Sequence, residues 1–161
     1  MDLPALPPGY ECRLPPQVEA SALVVVGLDV LGRELRLTPD AASAWNSMRE
    51  AAGADGVVLL AVSGFRSIAR QREIVERKLA AGVPWREILR VSAYPGHSEH
   101  HTGRAIDIGS PECEHLTESF AATSAFRWLA RHAGRFGYSL SYPLDGATGI
   151  GFEPWHWLWA A

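Results

Sequence analysis

The sequence predicts an α+β domain: a small, largely antiparallel sheet flanked by helices. Three observations carry this reading. The β-rich runs are short, clear helical periodicities come early and late around them, and neither a βαβα rhythm nor an internal repeat is present. A chain of 161 residues, at about 150 residues per domain, is expected to form one domain that buries roughly two thirds of its surface without staples.

Residues 1–22 carry Pro4, Pro7, Pro8, Pro15 and Pro16, a density that forbids regular helix or central strand and predicts an arm lying over residues 23–161. Leu23 to Val30 and Glu34 to Leu37 are β-rich runs around Leu31-Gly32-Arg33 and predict a hairpin. Thr38 is then expected to cap a helix opening at Pro39, with Ala42, Trp45, Met48 and Ala52 at helical spacing and Gly53 near its end. Val57 to Val62 predicts a buried strand, followed by a polar turn, Ser63-Gly64-Phe65-Arg66-Ser67.

Ser67 caps the next predicted helix, which runs to about Ala81 with Ile68, Ile74, Val75 and Leu79 as its apolar positions. Pro84 opens a short helix through Arg90. Gly103 to Gly109 alternates as a strand does, which sends Asp107 to the face opposite Ile106 and Ile108. Ser124 begins an amphipathic helix with Phe126, Leu129, Ala130, Ala133 and Phe136, ended by Gly137; Tyr138 to Tyr142 and Phe152 to Trp159 are the closing strands.

Composition narrows the function classes. A formal charge of −3, with 47 % hydrophobic and 20 % charged residues, is ordinary for a globular chain and argues against a nucleic-acid grip. No run approaches the ~20 apolar residues of a membrane span. The first ten residues have no basic n-region and no apolar h-region, so the chain as written is expected in the cytoplasm, with an outside location open if an export signal lies beyond it. Cys12 and Cys113 are too far apart for a Cys-x-x-Cys knuckle or redox pair and are expected as separate thiols, a long-range disulfide being the alternative.

The chemistry concentrates in the histidines: His97, His100, His101, His115, His132 and His156 all lie in the C-terminal two fifths of the chain. His97, His100 and His101 sit in a Gly-bounded loop, and Asp107 lies on the strand that leaves it. Glu153-Pro154-Trp155-His156 supplies a second carboxylate and imidazole; a regular strand would aim Glu153 and His156 oppositely, whereas a kink at Pro154 could bring both to one side. Trp155, Trp157 and Trp159 are expected in the core. Two neutral imidazoles and one carboxylate suit a catalytic Zn²⁺ with a fourth position for water, and the remaining carboxylate would take that water's proton. On spacing alone, either His100 or His101 could be the loop ligand, and each histidine could equally be a solvated or hydrogen-bonded side chain.

Ser98-x-His100-x-x-Gly103-x-Ala105-x-Asp107, then Glu153-x-Trp155-His156, with Ser63-Gly64-Phe65-Arg66-Ser67 upstream, resembles the zinc D-Ala-D-Ala carboxypeptidases of the VanY type, a family that includes L,D-carboxypeptidases and is related to D-Ala-D-Ala dipeptidases. The likeness runs from about Val57 to His156. It implies one zinc ion per chain held by His100, Asp107 and His156, with Glu153 as general base and then general acid. It implies Arg66 as neutraliser of anionic charge near the scissile bond, Ser98 as substrate contact or loop brace, and Gln71 as a substrate-side residue. The implied fold is similar to the signalling domain of hedgehog proteins, with residues 23–161 as one zinc peptidase domain. Two places depart from the family pattern. Ser141 precedes Tyr142-Pro143 where L,D-type members often show arginine, and the chain ends in Trp157-Leu158-Trp159-Ala160-Ala161 where a more polar ending is expected.

The implied activity is removal of a C-terminal D-amino acid, usually D-Ala, from a peptidoglycan peptide or muropeptide. Endopeptidase action on the stem peptide and dipeptidase action on D-Ala-D-Ala are the alternatives among enzymes. A catalytically silent zinc-binding module is the alternative outside them, and the presence of Glu153 beside a complete ligand set argues against it.

Overall fold

A computed structural model describes residues 3, 5–9 and 12–161. Pro4 of the arm lies outside them. The described arm is pinned to the body by its backbone: Gln17 N donates to Gly96 O at 2.7 Å and Ala20 N to His101 O at 2.8 Å. Leu14 of the arm packs with Tyr142 and Ile150 in a small cluster of its own.

Strands β1 (Val24–Leu28) and β2 (Glu34–Leu37) form the expected hairpin. The Asp29 carboxylate closes its turn by accepting from the backbone of Leu31 and Arg33. The hairpin is a separate two-stranded sheet and does not extend the main one. Helix α1 (Pro39–Ala54) buries Ala42, Trp45, Met48 and Ala52, the four positions its periodicity names. Thr38 stands at its N-cap, but its side chain caps nothing: Oγ1 is buried without a partner, while the backbone N–H is drawn to Gly103 O.

The main sheet is fully antiparallel, in the order β3 (Leu60–Ser63), β4 (Ala105–Gly109), β6 (His156–Trp159), β5 (Tyr138–Leu140). All five residues of β4 are buried. Ile106 and Ile108 enter the main core with Leu35, Leu37, Trp45, Met48, Phe120, Leu129, Tyr138 and Trp157, each large aliphatic chain contributing about 1.5–3 kcal/mol by leaving water. Trp155 and Trp159 pack against the same core, as expected of that aromatic stretch.

Helix α2 (Ile68–Ala80) is capped by the Ser67 hydroxyl, which accepts from Arg70 N. Only Val75 of its four expected apolar positions is fully buried, and Gln71 is buried beside it. Helix α3 (Trp85–Val91) follows Pro84. Helix α4 (Ser124–His132) is capped by Thr123 and tightens into a 3₁₀ turn, Ala133–Phe136, ended by Gly137 in the left-handed conformation. Its buried face holds Ala125, Trp128 and Leu129, whereas Ala130 is exposed, a correction to the expected stripe. Both closing strands are shorter than expected: β5 stops at Leu140, and β6 starts only at His156, because Pro154 has no N–H to give a ladder and residues 153–156 form a turn. Cys12 and Cys113 are free thiols, each half-buried. Among the described residues, no helix is long and apolar enough to cross a membrane.

Candidate metal centre

The register of the main sheet builds the site. Ser63 of β3 lies opposite Asp107 of β4, and Asp107 lies opposite His156 of β6. Directly opposed residues project to the same face, so the rung Ser63–Asp107–His156 points away from Ile106 and Ile108 as the alternation of β4 predicts. His100 reaches the rung from a 3₁₀ turn, Glu99–Thr102, whose N-cap Ser98 accepts from His100 N. That hydrogen bond ties the Ser98 side chain into the turn.

His100 Nε2 and His156 Nδ1 each lie 3.2 Å from Asp107 Oδ1. The two rings meet edge to face with centroids 4.9 Å apart. One ligand atom from each of His100, Asp107 and His156 falls within 4.8 Å of the others, and among the described residues this is the one group arranged to hold a metal ion. All three side chains are buried.

The far side of each imidazole is anchored. His100 Nδ1 donates to Gly64 O at 2.7 Å, which leaves Nε2 with its lone pair toward Asp107. The carbonyl can come this close because position 64 has no side chain: a Cβ there would stand 2.8 Å from both Arg36 O and Leu35 Cδ1. His156 Nε2 meets Glu99 Oε2 at 2.8 Å, and Ser141 Oγ donates to the same oxygen at 2.6 Å.

His101 has another task. Its Nδ1 donates to Arg66 O at 2.7 Å and its Nε2 accepts from Gly96 N at 3.1 Å. Both nitrogens are used inside the fold, and it is His100, not His101, that joins Asp107 and His156. His97 holds Leu14 O of the arm, and His132 packs on Trp128.

Arg66 follows the turn after β3. Its guanidinium donates to Gln71 Oε1 at 3.0 Å and to Ser63 Oγ at 3.4 Å. Gln71 in turn donates to Ala93 O at 2.7 Å, so it holds Arg66 from behind. Glu153 stands beside the group: His156 N donates to Glu153 O, and the Glu153 carboxylate lies 3.9 Å from His156 Nδ1. The turn at Pro154 thus brings Glu153 and His156 to one side.

The electrostatics divide the acids into two kinds. Burial works against ionisation of Asp107 and Glu99, yet the histidines on each, and Ser141 on Glu99, hold both below their ordinary values. Burial pushes Glu153 from 4.5 up to about 7. Burial also lowers His100 and favours its neutral form, whereas His156 is raised because hydrogen bonds to Asp107 and Glu99 outweigh its burial. A metal ion at this face would displace the Nδ1 proton of His156. Two imidazoles and a carboxylate gathered around one point, beside a carboxyl raised to about 7, form a set able to bind a metal and move a proton.

Glu99, Gly64, Ser141 and Tyr142, whose ring packs on His156 at 4.7 Å, do not emerge as site residues from sequence. The one local signal was the carboxylate of Glu99 between Ser98 and His100.

Residues 34–161 match the VanY family, described as D-alanyl-D-alanine carboxypeptidase. The chain is 35 % identical over 150 residues to the putative carboxypeptidase YodJ of Bacillus subtilis (strain 168), which covers 89 % of this chain and 55 % of YodJ. It therefore spans about half the length of that curated relative. Among solved structures, the LdcB LD-carboxypeptidase, described with the molecular basis of its peptidoglycan recognition, superposes with a TM-score of 0.79 at 34 % identity, over 90 % of this chain and 71 % of that one. A mutant of the vancomycin-resistance D,D-pentapeptidase VanY in complex with Zn(II) superposes with a TM-score of 0.67 at 30 % identity, over 90 % of this chain and 80 % of that one. With the family model matched from the start of β2 to the last residue, the chain belongs to the VanY family of D-alanyl-D-alanine carboxypeptidases.

Proposed function

We propose that this protein is a zinc metallopeptidase that removes a C-terminal D-amino acid, D-Ala, from peptidoglycan-type peptides. The observation that carries the reading is the buried group of His100 Nε2, Asp107 Oδ1 and His156 Nδ1 within 4.8 Å, with a carboxyl of raised pKa at its edge. These three residues would hold one zinc ion. When bound, the ion supplies Lewis acidity, acidifying water and polarising the scissile carbonyl.

The protein's own side chains account for the rest. Glu153 takes a proton from the attacking water on its carboxylate and later returns it to the leaving amine; a pKa near working pH suits both roles. Arg66 faces the charge that develops on the carbonyl oxygen, its planar guanidinium fixed by Gln71 and Ser63 before substrate arrives. Gln71 contributes through Arg66, and Ser98 by holding the turn that carries His100. The VanY family description supports D-Ala-D-Ala as substrate and the likeness to LdcB supports a peptidoglycan stem.

Liquid chromatography of products from peptides ending in D-Ala-D-Ala, L-Lys-D-Ala and diaminopimelate-D-Ala, each as free acid and C-terminal amide, tests the proposal. Release of D-Ala from a free acid and none from its amide is expected. Internal cleavage of the amides would replace the reading with an endopeptidase, and no cleavage of any peptide by zinc-loaded protein would overturn it.

A further inference from the structure

We infer that Glu99 is a positioning residue for the metal face of His156: its carboxylate holds Nε2–H, so that Nδ1 stays aimed at the Asp107 cluster. The inference rests on the zinc reading of the site. Three independent features of the geometry carry it.

First, the two imidazoles are anchored by unlike groups. A neutral backbone carbonyl, Gly64 O, fixes His100, whereas a carboxylate fixes His156 at 2.8 Å. A carboxylate on the outer nitrogen both sets the tautomer and makes the inner nitrogen a stronger donor. Second, Glu99 is itself held. Ser141 Oγ donates to the same Oε2 at 2.6 Å, so the oxygen that meets His156 is fixed from β5's end of the sheet, and the Tyr142 ring closes over the imidazole at 4.7 Å. Third, the connection is economical in topology. Glu99 and His100 are adjacent in one 3₁₀ turn, so that turn presents one ligand directly and orients another from β6, 57 residues away. Glu99 is not a fourth ligand, because it meets the ring nitrogen that faces away from Asp107 and falls outside the metal-holding group.

Ser141 thereby has a defined role at the position where the family resemblance leads one to look for arginine. Its hydroxyl is spent on Glu99, and it acts on the metal site at second hand.

The experiment measures the zinc affinity of the whole chain by competition with a chromophoric chelator at fixed pH, for the parent, Glu99→Ala, Glu99→Gln and Ser141→Ala, with the melting temperature of each chelated protein alongside. Outer-shell partners of this kind contribute roughly 10- to 100-fold to metal affinity. Glu99→Ala is expected to weaken zinc by that factor; Glu99→Gln, whose amide oxygen still accepts from Nε2–H without the charge, to fall between it and the parent; and Ser141→Ala to lose less than Glu99→Ala. The visible spectrum of the cobalt-substituted protein should shift in Glu99→Ala and return toward the parent in Glu99→Gln, which a loss of general stability would not produce. If Glu99→Ala does not fold, Glu99→Gln and Ser141→Ala decide the matter in the same way. A parent that binds zinc, with variants that match it within twofold, overturns the inference alone. A parent that binds no zinc overturns the zinc reading and this inference together.

Discussion

Replacing Glu153 with glutamine separates the stability of the site from its chemistry. The carboxyl is only 14 % exposed. Burial moves its pKa from 4.5 to about 7; His156 and Arg66 oppose the rise, and Asp107 and Glu99 add to it. In the metal-free chain its ionised form is therefore a cost to folding. Below pH 4.5 the carboxyl is protonated in both folded and unfolded chains and the cost vanishes. As pH rises the unfolded chain ionises first, and above pH 7 the cost is complete. At about 1.36 kcal/mol per unit, the shift corresponds to about 3 kcal/mol. Glu153→Gln keeps the size and removes the charge, so the chelated variant should melt above the chelated parent at pH 8, by roughly 6–12 °C for a chain of this length. At pH 5 the difference should shrink below about 1 kcal/mol. Zinc-loaded Glu153→Gln should keep its metal and lose at least about a hundredfold in peptide hydrolysis, the contribution typical of a general base. Calorimetry of chelated protein at the two pH values, with progress curves on the loaded protein, measures both. Equal melting at pH 8 would refute the buried-carboxylate reasoning; loss of metal would make Glu153 a ligand, and parental turnover would put the base elsewhere.

Arg66→Lys keeps the charge and loses the fork that meets Gln71 and Ser63; turnover should fall at least tenfold while stability drops by about 1 kcal/mol, one buried hydrogen bond, and steady-state kinetics beside thermal melts would expose a structural arginine as equal loss of both. Gly64→Ala puts a Cβ 2.8 Å from Arg36 O and Leu35 Cδ1, where the neighbours are backbone and packed core, so denaturant unfolding should show a loss of about 1–3 kcal/mol. The same variant should weaken zinc, since Gly64 O is the anchor of His100; unchanged affinity would show that His100 keeps its orientation without it.

The legible parts of this fold are those decided locally. Ala42, Trp45, Met48 and Ala52 bury the face their spacing names, and Ser67 caps as its position requires, because a helix face and an N-cap depend on neighbours a few residues away. Thr38 looks the same in sequence, yet its hydroxyl accepts no helix N–H and is buried without a partner, while its backbone N–H is held by the distant Gly103 O. Asp107 was placed by simple alternation, and His156 could be joined to Glu153 only by supposing the kink that Pro154 makes. His100 and His101 are indistinguishable by spacing. What separates them is which carbonyl each ring meets, Gly64 O or Arg66 O, both more than thirty residues away. Glu99 was invisible for the same reason: its partner lies 57 residues on, in the register of β6 against β4.

The central property proposed for this protein is one catalytic zinc ion held by His100, Asp107 and His156. Metal analysis of purified protein titrated with zinc, read together with D-Ala release before and after thorough chelation, measures this in one series. The expected result is a ratio near one zinc per chain, activity lost on chelation and restored by one equivalent of zinc, and no tight binding in Asp107→Ala. A ratio near two, or full activity after chelation, would contradict it.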